Sequence, residues 1–343
     1  MAQSRKVRVA VDAMGGDHAP EEIVKGAVLA AQNDDVEITL IGSINILEKE
    51  LAKCKFSNGL FIPCVEASEV ITEDDSPALA IRRKSNYSIA VAAKMVKSGE
   101  AEALVSAGPT GATAISAIQF MGMIDGMERP AIIGSLGRFA SNTIVVDLGA
   151  SVDCKPHQFL AFAIAGSVYA KKFLNIANPT VALLSTGPEE CKGNDLIRES
   201  HTILKNSGLN FIGNIEGSDV LTGKANVIVC DGFVGNVLLK FYESIGSHAL
   251  EWTGRKLKRY PPLGGMVKLL FNGLFPVSKM SYESDDEGSG ILWGIDGVVR
   301  IAHGTSQAPH IAHAIASARK AVKAEIVGSL KSDLAEFNQG GKI

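Results

Sequence analysis

The sequence predicts a three-layer α/β/α fold built on a mainly parallel sheet, and three observations carry that expectation. Short aliphatic, β-branched runs alternate with segments of helical period almost from end to end, the pattern of successive βαβ units with helices on both faces. The composition agrees: 46% hydrophobic but only 6% aromatic, with 35 glycines among 343 residues, suits aliphatic strands joined by Gly turns to Ala-rich helices. Polar glycine-rich stretches follow the runs, and loops at the carboxyl ends of parallel strands are where such sheets bind ligands.

The first unit is the most explicit. Val9 to Pro20 reads VAVDAMGGDHAP: a strand ending at Asp12, a turn through Gly15 and Gly16, then Asp17 and His18 before a proline that can open a helix. Glycine permits close backbone approach, and the first amides of a helix point at whatever sits in the loop, so an anion is the natural guest. Strands are expected at Val7–Val11, Ile38–Ile41, Leu60–Pro63, Ala103–Ser106, Ala131–Ser135, Thr143–Asp147, Val181–Leu184, Val227–Cys230 and Val298–Ala302. Helices with a polar face are expected over Ile89–Lys97, Pro156–Phe173, Asp195–Lys205 and Pro309–Val327, where apolar residues recur every three to four positions. These elements make one catalytic domain over 1–325, with 326–343 as a C-terminal helix end and tail that frays at NQGGKI.

One segment leaves this rhythm, a protruding helical hairpin at about 237–285. A helix from Asn236 to Tyr260 meets Pro261, Pro262, Gly264 and Gly265. Arg255, Lys256, Lys258 and Arg259 stand just before the break, and Leu269, Leu270, Phe271 and Leu274 just after it. A basic run beside an apolar helix can dock on an anionic bilayer; the same helix can equally pack in a dimer interface or on its own sheet.

Several functions are excluded. A net charge of -3 provides no field for nucleic acid, and no apolar run approaches the roughly 18 to 20 residues of a membrane span. The amino-terminal residues run into a strand without a signal core. Five cysteines, odd in number and without a CxxC pair, indicate reduced thiols in a cytoplasm. There is no GxGxxG after the first strand, no P-loop, no HExxH and no GxSxG, so no bound cofactor and no metal is expected. His310 and His313 read as a partly exposed helical pair, and Cys191 and Cys230 as structural thiols.

Six glycine-rich loops fall at strand ends: DAMGGDHAP, SAGPTGA, DLGASVD, STGPEECKGND, DGFVGN and HGTS. Turn geometry and capping explain any one of them. Together, with Lys192, His18 and His303, which are not turn formers, they suggest one shared cleft. Its Gly amides, the hydroxyls of Ser106, Thr110, Ser151 and Thr186, its carboxylates, a lysine and two histidines suit an anion and carbonyl chemistry without a redox group. Phosphate attacking an acyl carbonyl fits: the dianion is already a nucleophile, so the protein mainly aligns it and stabilises an oxyanion.

These motifs, together with VDLGASVDCKP, GSVYA, KGND, FIGNIEG, DGFVGNV and AHGTS in this order, resemble the phosphate acyltransferase (PlsX) family from about residue 7 to 320. The resemblance implies transfer of a long fatty acyl group from acyl carrier protein to inorganic phosphate. It implies a cytoplasmic homodimer loosely associated with the membrane surface, an acyl phosphate product used by a membrane glycerol-3-phosphate acyltransferase, and a sheet related to phosphate acetyltransferases and isopropylmalate dehydrogenases. Two departures stand out. The family's SAGNTGA reads SAGPTGA here, so Pro109 removes an amide donor, and a small Gly-Gly-Ala run is replaced by the acidic ESDDEGSGILWG.

Taken with the resemblance, the candidate catalytic residues are Lys192, Asn194, Asp231, Asn236 and His18. Lys192, the cation of the loops, would neutralise phosphate and oxyanion; Asn194, Asn236 and the amides of Gly232 and Gly235 would hold the carbonyl; His18 would donate to phosphate or carbonyl oxygen. Gly15, Gly16 and Asp17 would shape the phosphate wall, with Ser106, Gly108, Thr110, Gly111, Ser151 and His303 lining the pocket. Asp12, Asp147, Asp153 and Asp231 would orient donors rather than abstract a proton, because a thiolate leaves well unaided. The basic run Arg255–Arg259 would receive the acidic carrier protein, and Leu269–Leu274 would touch lipid or line an acyl tunnel. A phosphate acetyltransferase-like enzyme on short acyl-CoA and a non-catalytic membrane scaffold are the alternatives.

Overall fold

The computed structural model of the chain describes residues 5–33, 35–55, 60–72, 75, 86–135, 140–242, 244 and 289–339. The first half of these residues forms β1 (Val7–Asp12), α1 (Glu21–Asn33), β2 (Val36–Gly42), α2 (Ile44–Lys53), β3 (Cys64–Glu66), α3 (Ser88–Ser98), β4 (Ala103–Ser106), α4 (Thr110–Phe120), β5 (Ala131–Ser135) and β6 (Ile144–Val146). There follow α5 (Pro156–Phe173), β7 (Val181–Leu184), α6 (Asp195–Asn206), β8 (Phe211–Ile215), β9 (Val227–Val229), a helix α7 over 232–242, β10 (Ser289–Trp293), β11 (Val298–Ala302), α8 (Ala308–Lys323) and α9 (Ile326–Gln339).

All the strands join one 11-stranded sheet in the order β3-β2-β1-β4-β11-β10-β5-β6-β9-β7-β8. Alternation along β1 puts Val7, Val9 and Val11 into one apolar layer and Ala10 into the other, as the two-residue side-chain period requires. Helices α1, α5, α6, α8 and α9 close the first layer. On the opposite face lie α3 and α4, and the inner residues of α7, Leu238, Leu239 and Tyr242. The α/β/α expectation holds.

The sheet is two interleaved halves of opposite polarity. Strands β2, β1, β4 and β11 are parallel neighbours with β10 antiparallel beside them. Likewise β8, β7, β9 and β6 are parallel neighbours with β5 antiparallel beside them. The halves join through the antiparallel pair β10 and β5. Counting reversals from β11 through β10 and β5 to β6, the second set of parallel strands runs against the first. The six loops therefore do not share one carboxyl edge. Those after β1, β4 and β11 lie on one edge and those after β6, β7 and β9 on the other. This corrects the single-cleft expectation, because the local sequence around each strand carries no record of the strand's direction in the sheet.

Other differences are local. The strand expected at Leu60–Pro63 lies at Cys64–Glu66, and β8 and β10 form from segments without a strong apolar run. The helix expected over Pro309–Val327 ends at Lys323, and Glu325 takes a left-handed φ of 54° before α9 starts. Helix α5 has the expected bounds, with Pro156 in its first turn and the Lys155 N–H donating to Gln158 Oε1 at 2.9 Å, an N-terminal cap. Its expected polar face is missing: every residue from Gln158 to Ala170 is buried. The reason is that α6 and α9 both pack on α5, the latter burying Ile326, Leu330 and Leu334. The expected hairpin beyond α7, with Arg255, Lys256, Lys258, Arg259, Leu269, Leu270, Phe271 and Leu274, lies outside the described residues.

Candidate active site

The first edge is built around a buried carboxylate. Asp12 ends β1 fully buried; its Oδ2 accepts the Ser106 hydroxyl at 2.7 Å and its Oδ1 the Met14 N–H at 3.2 Å. Burial raises its carboxyl above the ordinary range, against hydrogen bonds from Ser88, Ser106 and the Met14 and Gly15 amides. Ser106 Oγ in turn accepts from the Gly108 N–H at 3.0 Å. The β1 and β4 loops touch at Gly15, where a Cβ would stand 2.5 Å from Asp12 Oδ2 and 2.7 Å from Gly108 N. Gly16 has φ 105°, and the Asp17 N–H donates to Gly304 O at 2.8 Å, tying the β1 loop to the β11 loop. Asp17, His18, Thr110, Gly111 and His303 are exposed around this frame. Thr110 opens α4 behind Pro109, whose side chain makes no cap.

The second edge repeats the device. Asp147 follows β6, and its Oδ1 accepts from the amides of Ile132 at 2.8 Å, Gly149 at 3.0 Å and Ala150 at 3.0 Å; Oδ2 accepts from Ser151 N–H at 2.7 Å. Even so, burial pushes its carboxyl up to about 6. The β9 loop packs on this turn. Gly232 N–H donates to Ser151 O at 2.9 Å, a Cβ on Gly232 would lie 2.7 Å from Asp147 Oδ2, and one on Gly235 would collide with the Asp147 carbonyl oxygen. Gly149, at φ 132°, faces Asn236. Asp231 caps α7, its Oδ1 accepting from the Val234 N–H at 2.8 Å.

The β7 loop completes this edge. Its turn closes with the Lys192 N–H donating to Glu189 O at 3.0 Å, Gly193 has φ 94°, and Asn194 caps α6 through Oδ1, which accepts from the Ile197 N–H at 3.0 Å. Lys192 is exposed, with its aliphatic stem across Gly187, where a Cβ would lie 2.9 Å from Lys192 Cγ. The outer face of α7 carries Phe233, Val237 and Phe241 at four-residue spacing, 61%, 55% and 62% exposed.

A family model described as "Fatty acid synthesis protein" matches residues 7–328. The Phosphate acyltransferase of Heliobacterium modesticaldum is 42% identical over 331 residues, 96% of this chain and 98% of that protein. That of Thermosynechococcus vestitus is 42% identical over 325 residues, 94% of each. The chain belongs to the phosphate acyltransferase (PlsX) family. It is an acyltransferase. A phosphotransacetylase from Streptococcus pyogenes shares the fold, with a TM-score of 0.65 at 17% identity over 94% of this chain and 95% of that one. A branched-chain phosphotransacylase from Enterococcus faecalis gives 0.53 at 14% identity over 92% and 99%.

The geometry of this phosphate acyltransferase family member sorts the candidate residues by what they can still offer a ligand. Asp12, Ser106, Asp147 and Ser151 are buried, and their polar atoms serve the loops themselves, with the Ser151 hydroxyl donating to Pro130 O at 2.8 Å. Gly15, Gly232 and Gly235 are the points where loops pack too closely for a side chain, and Gly108 sits tightly beside Ser106 and Ile89. Asn194 and Asp231 each use one side-chain oxygen on a helix terminus, which leaves the Asn194 amide nitrogen to face a ligand. Asp153, Lys192, Asn236, His18 and His303 present exposed side chains. Three residues escaped sequence reading. Ser88 reaches Asp12 from α3, and Asn214 and His201 lie behind the Lys192 turn; Ser88 and Asn214 arrive from segments distant in sequence from the loops they serve, and His201 from the helix that follows its loop. Cys230, buried at the end of β9, has its thiol raised well above the ordinary range, and burial pushes Cys154 up to about 12, so neither is a thiolate nucleophile. No group of three metal-ligating side chains and no membrane-crossing helix occurs among the described residues.

Proposed function

We propose that this acyltransferase moves a long-chain fatty acyl group from acyl carrier protein to inorganic phosphate. A phosphate oxygen attacks the thioester carbonyl, a C–O bond forms, the C–S bond breaks, and the electron pair leaves on the carrier's sulfur as thiolate. Lys192 neutralises phosphate and the developing oxyanion, and the amide groups of Asn194 and Asn236 orient the carbonyl. The observation that carries this reading is the pairing of a cation with an apolar track on one edge. From the amino end of α7, beside the Asp147 turn, the exposed Phe233, Val237 and Phe241 run for about 12 Å along the helix, a surface suited to an acyl chain and superfluous for acetyl.

The experiment is a chain-length series on carrier protein and on coenzyme A, with phosphate varied. Discharge of long-chain acyl carrier protein that requires phosphate, weakened by Phe241→Ser for long but not short chains, supports the reading. Preference for acetyl-CoA would replace it with the short-chain alternative, and binding to lipid enzymes without phosphate-dependent turnover would replace it with the scaffold.

A homodimer in which one copy's His18 edge faces its partner's Lys192 edge would place both loop triads on one phosphate. Peripheral membrane association through Leu270 and Phe271, and carrier docking on Arg255, Lys256, Lys258 and Arg259, complete the proposal. Acyl phosphate would then pass to a membrane glycerol-3-phosphate acyltransferase. Replacing Leu270 and Phe271 with Glu should abolish sedimentation with anionic liposomes while soluble turnover persists; unchanged sedimentation would remove the membrane reading.

A further inference from the structure

We infer that Asn214 and His201 are positioning residues for Lys192. The inference rests on the proposed role of Lys192 at phosphate and concerns what holds that lysine in place. The turn from Glu189 to Lys192 closes on Glu189 O, which accepts two hydrogen bonds. One comes from Lys192 N–H at 3.0 Å within the turn, the other from Asn214 Nδ2 at 2.9 Å. Asn214 belongs to β8 and is 4% exposed, so it ties the turn to the sheet. Its Oδ1 meets Nδ1 of His201, on α6, at 2.9 Å.

The donors and acceptors fit in only one sense. A carbonyl oxygen only accepts, so the Asn214 amide must present its nitrogen to Glu189 O. Its oxygen then faces His201, whose Nδ1 must carry a hydrogen. The His201 ring is held in turn by the edge of Phe211, with ring centroids 5.1 Å apart, and its Nε2 faces Glu190 at 3.7 Å, a carboxylate that also accepts from Lys205 at 2.6 Å. An exposed lysine that must meet a dianion needs a backbone that does not swing, and misplacement by about 1 Å can cost up to about a hundredfold in rate. Neither Asn214 nor His201 is placed to touch phosphate; they act through the turn.

The test is a double-mutant cycle on the full chain with phosphate varied. Asn214→Ala should raise the KM for phosphate about tenfold with a smaller change in kcat, and should add nothing when introduced into Lys192→Ala. His201→Gln, which can keep a donor toward Asn214, should retain the parental KM, whereas His201→Leu should not. Phe211→Ala removes packing from His201 but spares the bond to Glu189 O, so it should lower Tm without raising KM. The inference is overturned if Asn214→Ala raises KM no more than Phe211→Ala at equal loss of Tm, or costs as much in Lys192→Ala as in the parent. If Lys192→Ala itself leaves phosphate turnover unchanged, the role of Lys192 falls and the inference with it. A silent Asn214→Ala beside an impaired Lys192→Ala removes the inference alone.

Discussion

His18 and Lys192 lie at the carboxyl ends of strands that run in opposite directions in one sheet. Their strands, β1 and β7, are seven steps apart in the strand order, about 34 Å along the sheet at about 4.8 Å per step. The proposed homodimer would bring one copy's His18 edge to its partner's Lys192 edge.

Mixed assemblies test that relationship. His18→Ala and Lys192→Ala should each slow phosphate-dependent turnover by tenfold or more, roughly the weight of one lost transition-state donor. Coexpressed, the two chains should recover about a quarter of parental activity, because half of the dimers then hold one intact site made by both copies. No recovery from two impaired variants would mean that the sites are not shared between copies, and a parental rate in His18→Ala would take the first triad out of the reaction.

The Asp147 carboxyl has a pH signature in stability. Its folded value, about 6, lies above the reference 3.8, so the folded state binds the extra proton between those values. The group's contribution to stability is fully present below about pH 4 and is lost as pH rises through 6, on the order of 3 kcal/mol. Urea unfolding of the parent and Asp147→Asn at pH 4 and 7 isolates it, because other carboxylates cancel in the difference. The variant should gain on the parent by that order as pH rises; a pH-independent difference would reject the buried, titrating carboxylate.

Gly235→Ala should be among the worst conservative changes on this edge. Its Cβ meets the Asp147 carbonyl, so α7 must move off the turn, at a cost of roughly 1–3 kcal/mol, and turnover should fall with Tm. At Gly217 a Cβ meets nothing within 4 Å, and Gly217→Ala should be neutral in both measurements. Equal behaviour of the two would contradict the close approach of the β6 and β9 loops.

Leu334→Ala tests the docking of α9. Leu334 is fully buried, and truncating such a side chain costs roughly 2–5 kcal/mol. Denaturant melts should show that loss while the KM for phosphate below the transition stays parental, since Leu334 belongs to none of the six loops and none of the candidate residues lies on α9. An unchanged midpoint would show that the last helix contributes nothing to the core.

The strand-loop-helix units were legible because their signals are local. Asp12, Gly15 and Gly16 follow a β-branched run and announce a turn, and Pro156 announces the start of α5 to the residue. Helix α5 was legible in extent but not in burial, since part of its cover is α9, about 160 residues later. Lys192 stood out as a cation in a loop, whereas Asn214 and His201, which hold its turn, looked like ordinary members of a strand and a helix.

The sequence by itself determined the layered α/β class, the family and the six loops that carry its polar groups, because propensity, periodicity and turn chemistry act over a few residues. Tertiary structure decided which loops stand together. Strand direction follows from hydrogen-bond pairing across the whole sheet, and the reversal between β11 and β6, invisible in any single motif, divides the six loops between two edges and separates His18 from Lys192.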